Sequence, residues 1–546
     1  MHQNSKYMVA SRPQKRSLLI AVNILAGMSI FFFGYDQGVM GGVNSSRDYI
    51  DRMKFGHVLE DGTPVVTNGL LQGGIMCVYY LGTLIGCLSG GAFGDRFGRI
   101  KTIAMGATVA TFGAALQCSA MNANWMIVSR LITGFGTGAL NAIVPTYASE
   151  IADHKSRGQF IAIEFTLNIF GVVVAYWLGY GLSFIDNGDS PVRWRFAIAF
   201  QIVPLLGLLA VCWFFPESPR WLCKVGRDDE ALYVLQRVRG VDEGIAASEL
   251  KDIQNVVAME KEESHNITYL HMFFGIGSGN LHIGRRTHLC IAIQIMQSWT
   301  GISGVTMYGP QIFAIAGFGA SKTQWLSGLN NIIYMFSTLI CVFTLDRIGR
   351  RWTLYWGSVG QGIAMFLVGG FSRLGLNAET SGNGGVASKY GAAAAAMVIL
   401  YTFVFGATWL TVPWLYPAEI FPIRCRAMGN AWGVVGWSIG CGSLTLLLPE
   451  MVKGINEKMM YVFGAVNVLS IPIIYALYPE SNQRTLEEMD FLFSANKSWA
   501  WEAEKQFKLL KEQSASLVRA GSLSVESGHD AEKGATHVDS VSTERV

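Results

Sequence analysis

Asp36 stands inside Phe32-Phe33-Gly34-Tyr35-Asp36-Gln37-Gly38, in a stretch that is otherwise apolar. A carboxylate at membrane depth costs at least ~2.5 kcal/mol on insertion scales, so it needs a partner or a wet cavity. Arg130 is the partner that chain geometry offers. Asp36 lies several residues before the end of the first apolar stretch, and Arg130 a similar distance after the start of the fourth. If these two stretches run in opposite directions, the two residues share a depth. Such a pair is a proton switch, because a nearby guanidinium favours the charged carboxylate and separation in an apolar site favours the neutral acid. A permanent salt bridge between two helices is the other reading. Glu164 is a second intramembrane acid, sharing one helical face with Asn168 and Gly171 at i, i+4 and i+7. It reads equally as a titrating group and as a structural carboxylate near a helix end.

A different chemistry is written further on. Gln294, Gln297, Ser298, Gly301 and Tyr308 fall near one another at helical spacing. Uncharged amides and hydroxyls donate and accept hydrogen bonds to a polyhydroxylated neutral molecule, while a ring such as Trp414 covers its apolar carbons. Helix-to-helix hydrogen bonding is the alternative for any one of these amides.

The elements that position these groups follow from composition. With 51% hydrophobic and 15% charged residues in a chain of 546, and a mean hydropathy of +0.32, there is too little polar surface to cover a water-soluble globule. Apolar stretches long enough to cross the bilayer run at about 18–43, 69–92, 102–121, 125–148, 158–184, 194–215, 288–316, 324–345, 352–372, 390–418, 427–449 and 459–478. The chain therefore reads as an all-α membrane protein of about twelve transmembrane helices. The basic groups Lys15/Arg16, Arg96/Arg99/Lys101, Lys155/Arg157, Arg347/Arg350/Arg351 and Arg424/Arg426 occupy alternate loops, which places those loops and both termini in the cytoplasm.

The organisation expected is a cytoplasmic amino terminus at 1–17, one bundle over 18–215, a cytoplasmic linker over 216–285 with short helices near 228–239 and 248–263, a second bundle over 286–480, and a cytoplasmic, largely disordered tail over 481–546. Gly94-Asp95-Arg96-Phe97-Gly98-Arg99 returns about 250 residues later as Leu345-Asp346-Arg347-Ile348-Gly349-Arg350-Arg351, as expected when two similar membrane halves are joined. Gly82, Gly86, Gly90 and Gly94 form a smooth stripe for another helix, and Gly134, Gly136 and Gly138 repeat the device. Pro413 and Pro417 in the tenth stretch, and Gly309-Pro310 late in the seventh, mark places where helices bend or break.

Other functions are excluded or left without support. A net charge of +3 dispersed along loops argues against nucleic acid. The nine cysteines lack metal or disulfide spacing and read as core residues. No nucleophile elbow or phosphate loop emerges, so the chain does not read as an enzyme. Asn44, Asn266 and Asn496 begin glycosylation sequons, the first close to the membrane and the others on the cytoplasmic side.

Over approximately residues 15–490 the chain resembles a sugar porter of the major facilitator superfamily, of the kind common in fungi. The matching pieces are Gly94 to Arg99, Asp346 to Arg351, Arg130 with its glycine run, Pro145 to Arg157, Pro216 to Leu222, Pro413 to Arg426, and Pro479-Glu480-Ser481. The resemblance implies the major facilitator fold, two pseudo-symmetric six-helix bundles rocking around a central site. It implies proton coupling through Asp36 and Arg130, since facilitative relatives often carry Asn at the acid position. It implies a cytoplasmic gating network of Asp95, Arg96, Arg99, Glu150, Arg157 and Glu217, mirrored by Asp346, Arg347, Arg350, Glu419, Arg426 and Glu480, bracing the outward-open state. Gln297 and Trp414 match sugar-binding positions, with Gln294 beside them. Ser298, Ser303, Phe165, Tyr334 and Trp437 stand where the family's pattern has amides, and Asn168, Asn330 and Asn331 compensate in part.

The expectation is proton-coupled import of a hexose, pentose or polyol across the plasma membrane, with the proton as coupling ion and no cofactor, metal or obligate protein partner. A facilitative uniporter and a non-transporting sugar sensor are the alternatives.

Overall fold

Lipid supplies no partner for a backbone N–H or C=O, so each crossing must close its hydrogen bonds within a helix. The computed structural model describes residues 16–59, 64–151, 157–239, 243–263, 268–277, 279–422, 425–482, 484, 486–494 and 499–509. Five crossings in its first half are unbroken helices, Arg16–Val43, Gly69–Phe97, Arg99–Cys118, Ala123–Ile151 and Arg157–Leu182. The sixth is two helices, Val192–Phe200 and Ile202–Cys212, parted where Pro204 has no N–H to give the Phe200 carbonyl. The seventh is three pieces, Ile283–Gln297, Ser303–Met307 and Gly309–Ile315. The eighth and ninth are Ala320–Ile348 and Arg350–Thr380, the tenth Gly384–Ala407 followed by Val412–Ile420, the eleventh Arg426–Ile455 and the twelfth Met459–Leu477. Nine stretches of the described residues pass as spans by helix length and hydropathy alone, one of them the 50-residue run that holds both the eleventh and twelfth. The third and seventh are not among them, the seventh carrying His288, Gln294, Gln297, Ser298 and Thr300 along its length.

The glycine stripe does what its spacing promises. A Cβ at Gly82 or Gly86 would strike the backbone of Leu131 or Phe135, one at Gly90 would lie 2.7 Å from Ala139 Cα, and Gly134 and Gly138 return the contact onto Tyr79 and Thr83. Gly136 faces the third span instead, 2.8 Å from Ala110 Cα. The first span meets the fifth in the same way, a Cβ on Gly38 falling 3.0 Å from Val172 Cα, and the seventh meets the eleventh, with Gly436 against Ile291 Cα at 2.7 Å.

The repeated charged motif builds the same bracket twice. Gly98 and Gly349 take φ of 98° and 94°, a turn that L side chains resist. Arg99 then closes the end of the second span, bonding the Gly94 carbonyl at 2.9 Å, Asp95 at 3.1 Å and Glu150 at 2.8 Å. Glu217 accepts the Arg99 backbone N–H at 2.8 Å, filling an orphan donor at the start of the third span. Arg350 repeats this with Asp346 at 3.0 Å and Glu419 at 2.6 Å, and Glu480 accepts the Arg350 N–H at 2.9 Å. Burial pushes the Glu217 carboxyl above its ordinary value, against the backbone donors that favour its charged form. Arg96 and Arg347 are exposed. Arg426 opens the eleventh span. Arg157 opens the fifth, its side chain lying outside what the structure describes.

Several expectations are corrected. Between the first and second spans, Gly56–Val58 (β1) pairs antiparallel with Pro64–Val66 (β2). This ribbon marks one end of the molecule, and the charged brackets mark the other. In the linker, Asp228–Arg239 is helical as read, and the next helix, Glu243–Glu263, starts earlier than its charge pattern suggested. The tail differs most. Leu486–Ser494 and residues 500–509 are helical, with Leu492, Phe493, Ala500 and Ala503 buried. Asp490 bonds the buried Arg286 at 2.6 Å, Glu504 bonds Arg351 at 3.1 Å, and the Trp501 ring stacks on Tyr475. Apolar residues hidden among serines and charges dock this segment, and residues beyond 509 lie outside the described part. Asn44 is buried, which removes it as a glycosylation site, while Asn266 and Asn496 lie outside the described residues.

Candidate functional site

The first span brings Asp36 to the fourth-span Arg130 at 3.3 Å, their side chains 0% and 2% exposed. Both charges are thus held out of water by unbroken helices. Arg130 lies over the Tyr79 ring, 5.4 Å from its centroid. Among the described residues, one carboxylate oxygen of Asp36 and two guanidinium nitrogens of Arg130 make no close hydrogen bond, so the pair is electrostatically matched but under-bonded. Glu164 is buried as well, one oxygen without a partner, while Asn168 on the same face donates to the Ile30 carbonyl at 3.3 Å.

A helix turn places the neighbours of Asp36 elsewhere. Phe33 and Gln37 face a central cavity between the two halves. The cavity receives Phe165 and Asn168 from the fifth span, Gln297, Ser303 and Thr306 from the seventh, Tyr334 from the eighth, Trp414 from the tenth, and Trp437 with Cys441 from the eleventh. It is closed towards the ribbon end: Tyr176 donates across the halves to the Thr306 carbonyl at 2.7 Å, and the Tyr80 ring meets Trp437 edge-on at 5.1 Å. Of the expected ligand positions, the structure gathers Gln297, Ser303, Phe165, Asn168, Tyr334, Trp414 and Trp437 here. Gln294 and Ser298 are buried but turned away, as are Asn330 and Asn331.

The reason lies in the backbone of the seventh span. Ser298–Ile302 forms a wide π turn with Gly301 at φ 116°, which shifts the helical register so that Ser303 and Thr306 follow Gln297 into the cavity. Ser298 bonds back to the Gln294 carbonyl at 3.2 Å, and the Tyr308 hydroxyl donates to the Thr445 carbonyl at 3.2 Å. Helical spacing misses Gln37, Thr306 and Cys441: the turn hides Thr306, Cys441 reads as a core residue, and only the position of Gln37 beside the acid signals it.

The tenth span explains the two glutamines. Pro413 has no N–H for the Trp409 carbonyl four residues back, and Pro417 has none for the carbonyl of Pro413. Gln297 fills the first gap, its side-chain nitrogen 2.7 Å from the Trp409 oxygen and 3.0 Å from that of Leu410. Gln294 fills the second at 3.1 Å. Both partners are acceptors, which fixes the amide orientation and leaves the Gln297 carbonyl oxygen, not its nitrogen, for the cavity.

The sequence profile of the family described as Sugar (and other) transporter matches residues 22–493. The MFS-type transporter oryC of Aspergillus oryzae is 31% identical, the match covering 87% of this chain and 85% of the relative. The arabinose-proton symporter of Bacillus subtilis is 26% identical over 88% of this chain and 97% of its own length. Among solved structures, the proton:xylose symporter XylE from E. coli superposes with a TM-score of 0.69 at 22% identity, covering 87% of this chain and 99% of that one.

Proposed function

The chain belongs to the sugar (and other) transporter family of the major facilitator fold, and from that premise we propose that it imports a small neutral sugar or polyol together with a proton. The observation that carries this reading is the buried, under-bonded pair of Asp36 and Arg130. A carboxylate so placed is held by its arginine when charged and released when protonated. The name of the bacterial arabinose-proton relative agrees with it.

The basic loops support a cytoplasmic bracketed end and an outer ribbon end, and the carrier works in the plasma membrane. Protonation of Asp36 from outside frees Arg130 and favours opening at the ribbon end. Loss of the proton inside restores the pair and resets the carrier. The two brackets, each confined to its own half in the contacts above, act as gating ends of rigid bundles. The proton is the coupling ion, and a 100 mV potential then adds about 2.3 kcal/mol per charge, roughly 50-fold accumulation.

The test is uptake into liposomes holding the full chain, with an acid exterior and labelled D-glucose, D-xylose, L-arabinose or xylitol. At least one should accumulate and should alkalinise the medium, and Asp36→Asn should keep exchange but lose accumulation. Accumulation unchanged in Asp36→Asn would overturn proton coupling through this pair. Equilibration without proton movement would identify a uniporter, and signalling without uptake a sensor.

A further inference from the structure

The walls of the central cavity are largely aromatic and apolar. A band of rings runs through it, Phe33 on Trp437 at 5.2 Å, Trp437 on Trp414 at 5.9 Å and Trp414 on Phe165 at 5.8 Å. Ile169, Val172, Ile302 and Leu410 supply further apolar surface.

Several lining polar groups are already engaged. Gln297 spends its N–H groups on carbonyls in the tenth span. The Asn168 nitrogen is on the Ile30 carbonyl, Ser303 pairs with Cys441 at 3.2 Å, and the Thr306 hydroxyl donates to the Ile302 carbonyl at 2.9 Å. Gln37 is left as the lining amide with no hydrogen bond among the described residues. No Asp, Glu, Lys, Arg or His lines the cavity among the described residues.

An aryl glycoside keeps nearly all the hydroxyls of its sugar and adds an aromatic face that the bare sugar lacks. Aromatic walls repay that added face. We propose that the cavity selects a neutral sugar that carries a broad aromatic face, of the class of aryl glycosides, over the bare sugar. This rests on the transport reading above and narrows its substrate. Gln37 and the Gln297 carbonyl oxygen meet the sugar, and the ring band takes the aromatic face.

Phenyl β-D-glucopyranoside, D-glucose and xylitol are titrated separately against the purified full chain in lipid nanodiscs, following the thermal midpoint. The aryl glucoside should half-saturate at a concentration at least about tenfold below D-glucose, the equivalent of about 1.4 kcal/mol. Two changes should narrow that ratio: Pro413→Ala, which returns an N–H to the Trp409 carbonyl and frees Gln297, and Phe165→Gln, which adds an amide to the ring band. Equal or tighter binding of D-glucose or xylitol overturns the proposal, as does a preference that neither variant changes, or binding of none of the three. D-glucose favoured in binding yet accumulated with protons would fell the substrate class and leave proton-coupled import standing. Aryl glucoside bound tightly but not driven by an acid exterior would do the reverse.

Discussion

The first and seventh spans hold matching places in the two halves, each packed through close-approach glycines on the fifth or the eleventh, yet one is a single helix and the other is three pieces. The first has to keep a charge at one depth, and an unbroken helix does that because all its interior backbone groups are satisfied within it. The seventh lines the cavity, and with the tenth it exposes backbone carbonyls that side chains must satisfy. One half is rigid around a buried ion pair. The other is held together by replaceable amide bonds beside the central cavity.

Arg130→Leu attacks the rigid half. It strands a buried carboxylate, which costs about 3–5 kcal/mol, and should lower the thermal midpoint more than any single loss in the amide-held half. If Gln297→Leu destabilised the protein as much, the contrast would collapse.

Gln294→Ala orphans the Pro413 carbonyl and should cost about 1–3 kcal/mol. In a Pro417→Ala background the backbone regains its own donor, and the same change should cost much less. A double-mutant cycle of thermal midpoints reads the difference, and additivity would show that the amide is not standing in for the missing N–H.

The smallest effect lies at the ribbon end of the first span. Asp48 sits in the short helix Arg47–Met53 that follows it. Burial works to raise its carboxyl, but hydrogen bonds from Arg52 at 2.7 Å and Trp194 at 2.8 Å outweigh that and hold it below the usual carboxylate range. A lowered folded-state value adds stability that is present above the ordinary carboxylate range and lost as pH falls through the lowered value. The wild-type midpoint should therefore drop slightly between neutral pH and about pH 3, and part of the drop should vanish in Asp48→Asn. The pair is partly exposed, so the effect is small. An Asp48→Asn curve that parallels wild type would remove this clamp from the rigid half.

The fold was legible because lipid permits few solutions: hydropathy located the crossings, and the repeated Gly-Arg motif disclosed the duplication. The Asp36–Arg130 approach was legible for the same reason, since two helices of known direction share a depth scale. The ligand face was legible in part only. The π turn at Ser298–Ile302 breaks the helical period, so Ser303 and Thr306 reach the cavity in place of Ser298 and Tyr308, and Gln294 is drawn to the Pro413 carbonyl. The job of the two glutamines needed Pro413 and Pro417 to be matched with a different helix, a pairing that lies 112 and 119 residues apart in the chain. The docked tail escaped notice because its few anchoring apolar residues are diluted by polar ones.

Every tail contact described above, from Asp490 on Arg286 to Glu504 on Arg351 and Trp501 on Tyr475, belongs to the same half of the molecule. The tail therefore rides as a passenger on one bundle. A dye fixed near residue 509 is then a pointer for that bundle, and its distance to a second dye on the amino-terminal bundle would time each stroke of the carrier in a single membrane-embedded copy.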